Sequence, residues 1–249
     1  MSVKKVYITE VTGQKTLEIE QKYAIKENSI IELKGEFRSA GKIKSKIYFG
    51  LKCLREDGRN ISGTEIYRLE EPIIITSING DNKSFILEKK PEKWNNQNDS
   101  YSLFHCKYIG IYLDGDTNHL PDYLLKYSNY NNNILYLNES ISNEILGKIN
   151  NNITKVMNHY DTNNYDYSAA GFNGDNGGAE EVPSENWKEY SAIYEGFSSF
   201  TGIIKDIKGK YRPGTKQVLP IILCNYGQSN DAILEIKNIE IVLKKKHNS

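Results

Sequence analysis

The residues best placed to do chemistry follow the apolar run Tyr108 to Leu113, where Asp114, Asp116 and Asn118 alternate with Gly115 and Thr117 and Asp122 comes shortly after. Oxygen-bearing side chains at alternate positions of a loop are the donor set of a hard cation. Asp114, Asp116, Asn118 and Asp122 are therefore candidate ligands for a structural calcium ion. The string is not an EF-hand: counting from Asp114, His119 holds the position of its glycine and Leu125 that of its closing glutamate. A solvated acidic turn is the plainer reading.

Aromatic side chains offer a second chemistry. Flat rings stack on the CH faces of sugars while neighbouring amides and carboxylates take the hydroxyls. The chain has 18 Tyr and 2 Trp. Trp94 lies in the polar stretch Lys93-Trp94-Asn95-Asn96-Gln97-Asn98, which points to a half-exposed ring beside amides. Tyr165 and Tyr167 alternate with Asp161 and Asp166, placing rings and carboxylates on one loop. Trp94, Tyr165, Tyr167 and Asp166 are thus the candidate glycan contacts, against the plainer account that the two tyrosines cover a sheet edge.

Catalytic constellations are not visible. There is no GxSxG, and His105, His119, His159 and His247 are scattered. Cys53, Cys106 and Cys224 sit in apolar runs with no CxxC spacing, which reads as core packing. Carboxylate pairs such as Glu180 with Glu181, or Asp161 with Asp166, are what chance supplies among 32 acidic residues. The glycines of GFNGDNGG lack the preceding strand and following helix of a phosphate cradle. No catalytic residue is assigned, and the chain is expected not to be an enzyme.

The elements that must position these residues read as strands. Ile30 to Arg38, Ile47 to Arg55, Pro72 to Thr76, Ser84 to Leu87, Leu103 to Leu113, Ile134 to Leu137, Trp187 to Phe197, Leu219 to Tyr226 and Ala232 to Leu243 are short, rich in Ile, Tyr, Phe and Val, and often alternating. Gly- and Asn-containing turns separate them, as at Glu56-Asp57-Gly58 and Asn79-Gly80-Asp81-Asn82. Helix is expected only at Ser142 to Ile149, which opens on a capping serine, and for a turn or two at Leu120 to Tyr127. The expected fold is all-β: one antiparallel jelly-roll β-sandwich over residues 1–249, with a long loop-rich insertion at about 90–180 and one or two short helices.

With 38% hydrophobic and 26% charged residues, the 249-residue chain has the composition of a globular protein without a membrane span. A formal net charge of +0 supplies no long-range field for a phosphate backbone, so nucleic acid is not an expected partner. The amino-terminal MSVKKVYITEV has no apolar h-region, so no secretory signal is expected, and an extracellular, cell-surface or virion location stays open.

The order IIELKGEFRSAGKIKSKIYFGLKCLREDGRNIS, the segment around Trp187-Lys188-Glu189-Tyr190-Ser191 and the closing alternating strand together resemble the jelly-roll carbohydrate-binding modules of glycanases, phage tail and bacterial surface proteins. That resemblance covers residues 28–62 and 183–243. It implies non-catalytic glycan binding, often with a structural calcium ion, and a core-packing role for Trp187. The alternatives are a structural subunit of a surface or phage tail assembly, or a homo-oligomer, and a glycosyltransferase, because Asp114-Gly115-Asp116 also looks like the DxD of nucleotide-sugar transferases. The last requires an α/β half upstream, and residues 1–113 show strands without crossover helices.

Overall fold

The structure, a computed structural model, describes residues 2–6, 10–69, 71–94, 106–162, 168–169, 180–200 and 209–245. In chain order its strands are β1 (Ser2–Val6), β2 (Glu10–Thr12), β3 (Lys15–Glu18), β4 (Tyr23–Ala24), β5 (Ser29–Ser39), β6 (Lys46–Leu54), β7 (Ile73–Ile78), β8 (Ser84–Leu87) and β9 (Cys106–Tyr112). There follow β10 (Tyr123–Asn131), β11 (Ile134–Leu137), β12 (Lys155–Tyr160), β13 (Ser168–Ala169), β14 (Glu180–Glu181), β15 (Lys188–Glu195), β16 (Gln217–Cys224) and β17 (Ile233–Lys245). Two single-turn helices, α1 (Gly63–Ile66) and α2 (Asn143–Leu146), complete the described elements. All strand pairings are antiparallel, so the expected all-β class holds.

The chain divides into two compact units: Met1–Ile61 with Asp166–Ser199 and Lys205–Ser249, and Ser62–Tyr165 with Phe200–Ile204. This differs from the single sandwich with an insertion at about 90–180. The second unit starts at Ser62 because β7 and β8, read from the sequence as sandwich strands, pair instead with β11 and β12.

The first unit holds two sheets, one ordered β1-β17-β5-β15 with β2 also on β17, the other β13-β6-β16-β3 with β14 on β6 and β4 on β16. Strand β5 shows why its residues form a strand: Ile31, Leu33 and Phe37 point inward and are fully buried, while Glu32, Lys34, Glu36 and Arg38 alternate outward. Across the interior Phe37 of the first sheet meets Phe49 of the second edge-on, with ring centroids 5.7 Å apart. Strand β17 carries a bulge between Lys237 and Glu240, where Asn238 takes a φ of 53°. The extra residue keeps both Ile236 and Ile239 inward, which strict alternation would not. Cys53 and Cys224 are buried, and burial raises the Cys224 thiol to a pKa of about 12.

The second unit is a closed barrel, β10-β11-β8-β7-β12-β9. Closure leaves no open edge and turns Ile73, Ile75, Phe85, Leu87, Ile109, Ile111, Leu135 and Val156 into one core. Full burial of each such side chain contributes roughly 1.5–3 kcal/mol. The expected helical turns at Leu120 to Tyr127 are replaced by β10, which pairs with β9 on one side and β11 on the other. Eight residues make a marginal helix in water, and two ladders of backbone hydrogen bonds outweigh that local preference. Helix α2 forms as expected, with the Ser142 hydroxyl accepting from the Ile145 amide, though it is shorter than the sequence indicated. Among the described residues no helix is long and apolar enough to cross a membrane.

Candidate functional site

The acidic loop after β9 is a chain of side chain-to-backbone turns. Asp114 Oδ1 accepts from the Asp116 amide at 2.9 Å, and Asp116 Oδ1 accepts from both the backbone and side-chain nitrogens of Asn118. Asp122 Oδ2 accepts from the Leu113 amide at 2.9 Å, and His119 Nε2 lies 3.2 Å from Asp114 Oδ1. Hydrogen bonds from His119 and the Asp116 backbone lower the Asp114 pKa. Burial works to lower that of His119, but its bond to the Leu120 carbonyl and the Asp114 carboxylate outweigh it and the net shift is upward. Among the described residues no three His, Cys, Asp or Glu side chains stand together as an ion would need. The loop follows β9, a strand of the closed barrel.

Trp94 is placed differently from its sequence reading. It is buried, with 2% exposure, in the barrel core. Its immediate neighbours are polar, but strands distant in sequence supply the apolar walls. Its ring lies 6.1 Å from that of Tyr127 and 6.3 Å, edge-on, from that of Tyr130. The polar atoms of this barrel end form a connected group. Tyr127 donates to Asn158 Oδ1 at 3.0 Å, and Asn158 Nδ2 donates to the Trp94 carbonyl at 3.4 Å. Burial, and then the charge of Glu71, raise the Tyr130 pKa. Glu71 Oε1 pairs with Lys89 at 3.4 Å.

The Trp94 indole Nε1 and the Glu71 carboxylate Oε2 are each buried without a hydrogen-bonding partner among the described residues. An unmet buried donor or acceptor costs about 1–3 kcal/mol, more when charged. One is a donor and the other an acceptor. Tyr127, Tyr130, Asn158, Glu71 and Lys89 escaped the sequence reading. Tyr127, Tyr130 and Asn158 reach Trp94 only through barrel closure, and nothing local distinguishes any of the five from other residues of their type. Tyr165, Asp166 and Tyr167 lie outside the described residues.

On the outer wall of the barrel, Gly110 makes room for the His159 ring; a Cβ there would stand 2.5 Å from His159 Nε2. His159 Nδ1 is 2.6 Å from the Thr64 carbonyl, which can only accept, so Nδ1 carries the proton and Nε2 accepts from the Tyr112 hydroxyl at 3.1 Å. Arg68 Nη1 in turn donates to that hydroxyl at 2.6 Å. Burial, with a smaller contribution from the Arg68 charge, pushes His159 down to a pKa of about 3 against the opposing pull of the Thr64 carbonyl. The capping box of α1, in which Ser62 and Glu65 bond each other's backbone, fixes the turn that presents Thr64.

In the first unit Trp187 is half-buried rather than a core residue. Its ring faces two cations, the Lys237 ammonium at 4.2 Å and the Arg38 guanidinium at 5.1 Å from the centroid. These cations are held by Glu36 and Glu235 respectively. The position just ahead of β15 puts the ring on the charged outer face of the sheet, beside the outward residues of β5 and β17.

Comparison with protein-family models, curated proteins and solved structures finds no match to this chain.

Proposed function

We propose that this chain is a non-catalytic carbohydrate-recognition module whose first unit is a jelly-roll-type sandwich and whose ligand site is the Trp94 end of the barrel. The reading is supported by an indole N–H, Trp94 Nε1, with two tyrosine rings beside it, and by a carboxylate oxygen, Glu71 Oε2, each buried without a hydrogen-bonding partner among the described residues. A sugar hydroxyl is both acceptor and donor, so one polyhydroxy ligand meets both, and its CH face suits a ring wall. Barrel mouths are a recurrent place for such ligands. A non-catalytic role is favoured because the one buried histidine of the described residues has both ring nitrogens engaged and is held neutral, leaving no lone pair to act as a base.

Calcium enters this reading as a clamp on the acidic loop. Asp114 and Asp116 each engage Oδ1 in turns and keep Oδ2 unpaired, so a cation there competes chiefly with His119 for Asp114. The ion would stiffen the loop and would not touch the sugar.

Glycan-array screening of the wild-type chain and of Glu71→Gln tests the proposal. Wild-type binding to a defined set of glycans, weakened roughly 10- to 100-fold in Glu71→Gln as expected for loss of a charge-assisted hydrogen bond, supports it. Wild-type failure on all glycans, with assembly into a defined oligomer, would instead favour the structural-subunit role.

A further inference from the structure

The guanidinium of Arg68 is buried, at 6% exposure, and permanently charged, yet among the described residues no carboxylate touches it. Its Nη1 is used, donating to Tyr112 at 2.6 Å and, at the limit of 3.5 Å, to the His119 carbonyl. The rings of Phe200 and Tyr112 lie 4.0 and 5.5 Å from its central carbon and ease the charge without neutralising it. His159, the other basic group of the network, is neutral and brings no counter-charge. Among the described residues Nε is buried with no hydrogen-bonding partner, and the hydrogen bonds of the guanidinium all run from Nη1, leaving Nη2 without one. These two N–H groups form the side-on edge of the guanidinium, the edge that matches two oxygens of one anion. Glu65 and Asp122 act electrostatically on the Tyr112 hydroxyl but form no ion pair with Arg68 among the described residues, and an oxyanion on that edge supplies both an adjacent counter-charge and the missing acceptors.

We propose that the outer wall of the barrel holds an oxyanion-binding site, taking a phosphate or carboxylate group side-on across Nε and Nη2 of Arg68. This site is separate from the barrel end containing Trp94, and it stands or falls independently of glycan binding. The test is a titration of the wild-type chain with inorganic phosphate and, separately, acetate, against sodium chloride at matched ionic strength. It is read by the arginine Nε–H resonances and by the unfolding midpoint. The expected result is a saturable shift of one Nε–H signal and a midpoint rise of several degrees near saturation that chloride does not reproduce. Response to phosphate alone or to acetate alone identifies the class of group bound. Arg68→Lys, which keeps the charge and loses the fork, is expected to bind at least about tenfold more weakly. Tyr112→Phe, which leaves the Nε and Nη2 edge intact, is expected to bind within about twofold of wild type. No shift with either oxyanion in the wild type overturns the proposal, as does a response unchanged in Arg68→Lys. Should Arg68→Lys not fold, the wild-type resonances decide alone.

Discussion

Acid should loosen the barrel through one residue, His159. Folded, it is held neutral down to a pKa of about 3, chiefly by burial. Unfolded, it takes a proton at its ordinary value near 6.5. Below pH 6.5 the unfolded state therefore binds one more proton than the native state, and stability falls with pH by about 1.4 kcal/mol per unit. At pH 5 the loss is about 2 kcal/mol, on the order of 10 °C in the midpoint of a domain of this size. His119 acts on the other side of pH 6.5. Its folded pKa is raised, so its contribution is complete below the unfolded value and fades only as pH climbs through the folded one. The carboxylates with lowered pKa values, Glu36, Asp57, Asp114 and Glu144, lose their contributions at lower pH, as it falls through their folded values. The interval from pH 6.5 to 5 thus isolates His159. Thermal unfolding across that interval, with His159→Phe as control, is the assay, and the control is expected to flatten the slope. A folded-state His159 titrating near 6.5 by NMR, or an equal slope in His159→Phe, would refute the linkage.

Gly110→Ala should destabilise the barrel by about 1–3 kcal/mol, read by chemical denaturation, because a Cβ there clashes with the His159 ring and crowds Pro121; a neutral result would mean that the imidazole shifts freely. Trp187→Ala should cost about 1–2 kcal/mol and the loss should shrink in high salt, since two cations face that ring. Millimolar calcium is expected to raise the unfolding midpoint relative to chelator, and less so once pH has fallen through the raised folded pKa of His119, where the protonated ring competes for Asp114. An unchanged midpoint in Asp116→Ala and wild type alike would remove the ion from the account.

Local pattern made much of the first unit legible. In β5 and β17 apolar residues alternate with charged ones because each strand has one dry face and one wet face, and that alternation is written along the chain. The barrel was less legible for a physical reason. Leu124-Leu125-Lys126-Tyr127 has apolar spacing compatible with a helical turn, and only pairing with β9 and β11 makes it strand. Trp94 misled in the same way: its neighbours Lys93 and Asn95 are polar, while Ile73, Leu135 and Val156, which bury it, are distant in sequence. Tyr127, Tyr130 and Asn158 reach Trp94 through closure of the barrel, a property of six strands together and of no segment alone.

The central claim, that a sugar binds at the Trp94 end of the barrel, has one direct readout. The chain contains 2 Trp, so its indole N–H spectrum has two signals, assignable with Trp187→Phe. On titration with the oligosaccharide that binds most tightly on an array, the Trp94 Nε1–H signal should move downfield and saturate as its unpaired donor gains an acceptor, while the Trp187 signal stays in place. A saturating shift confined to Trp187, or binding with neither indole perturbed, would contradict the claim.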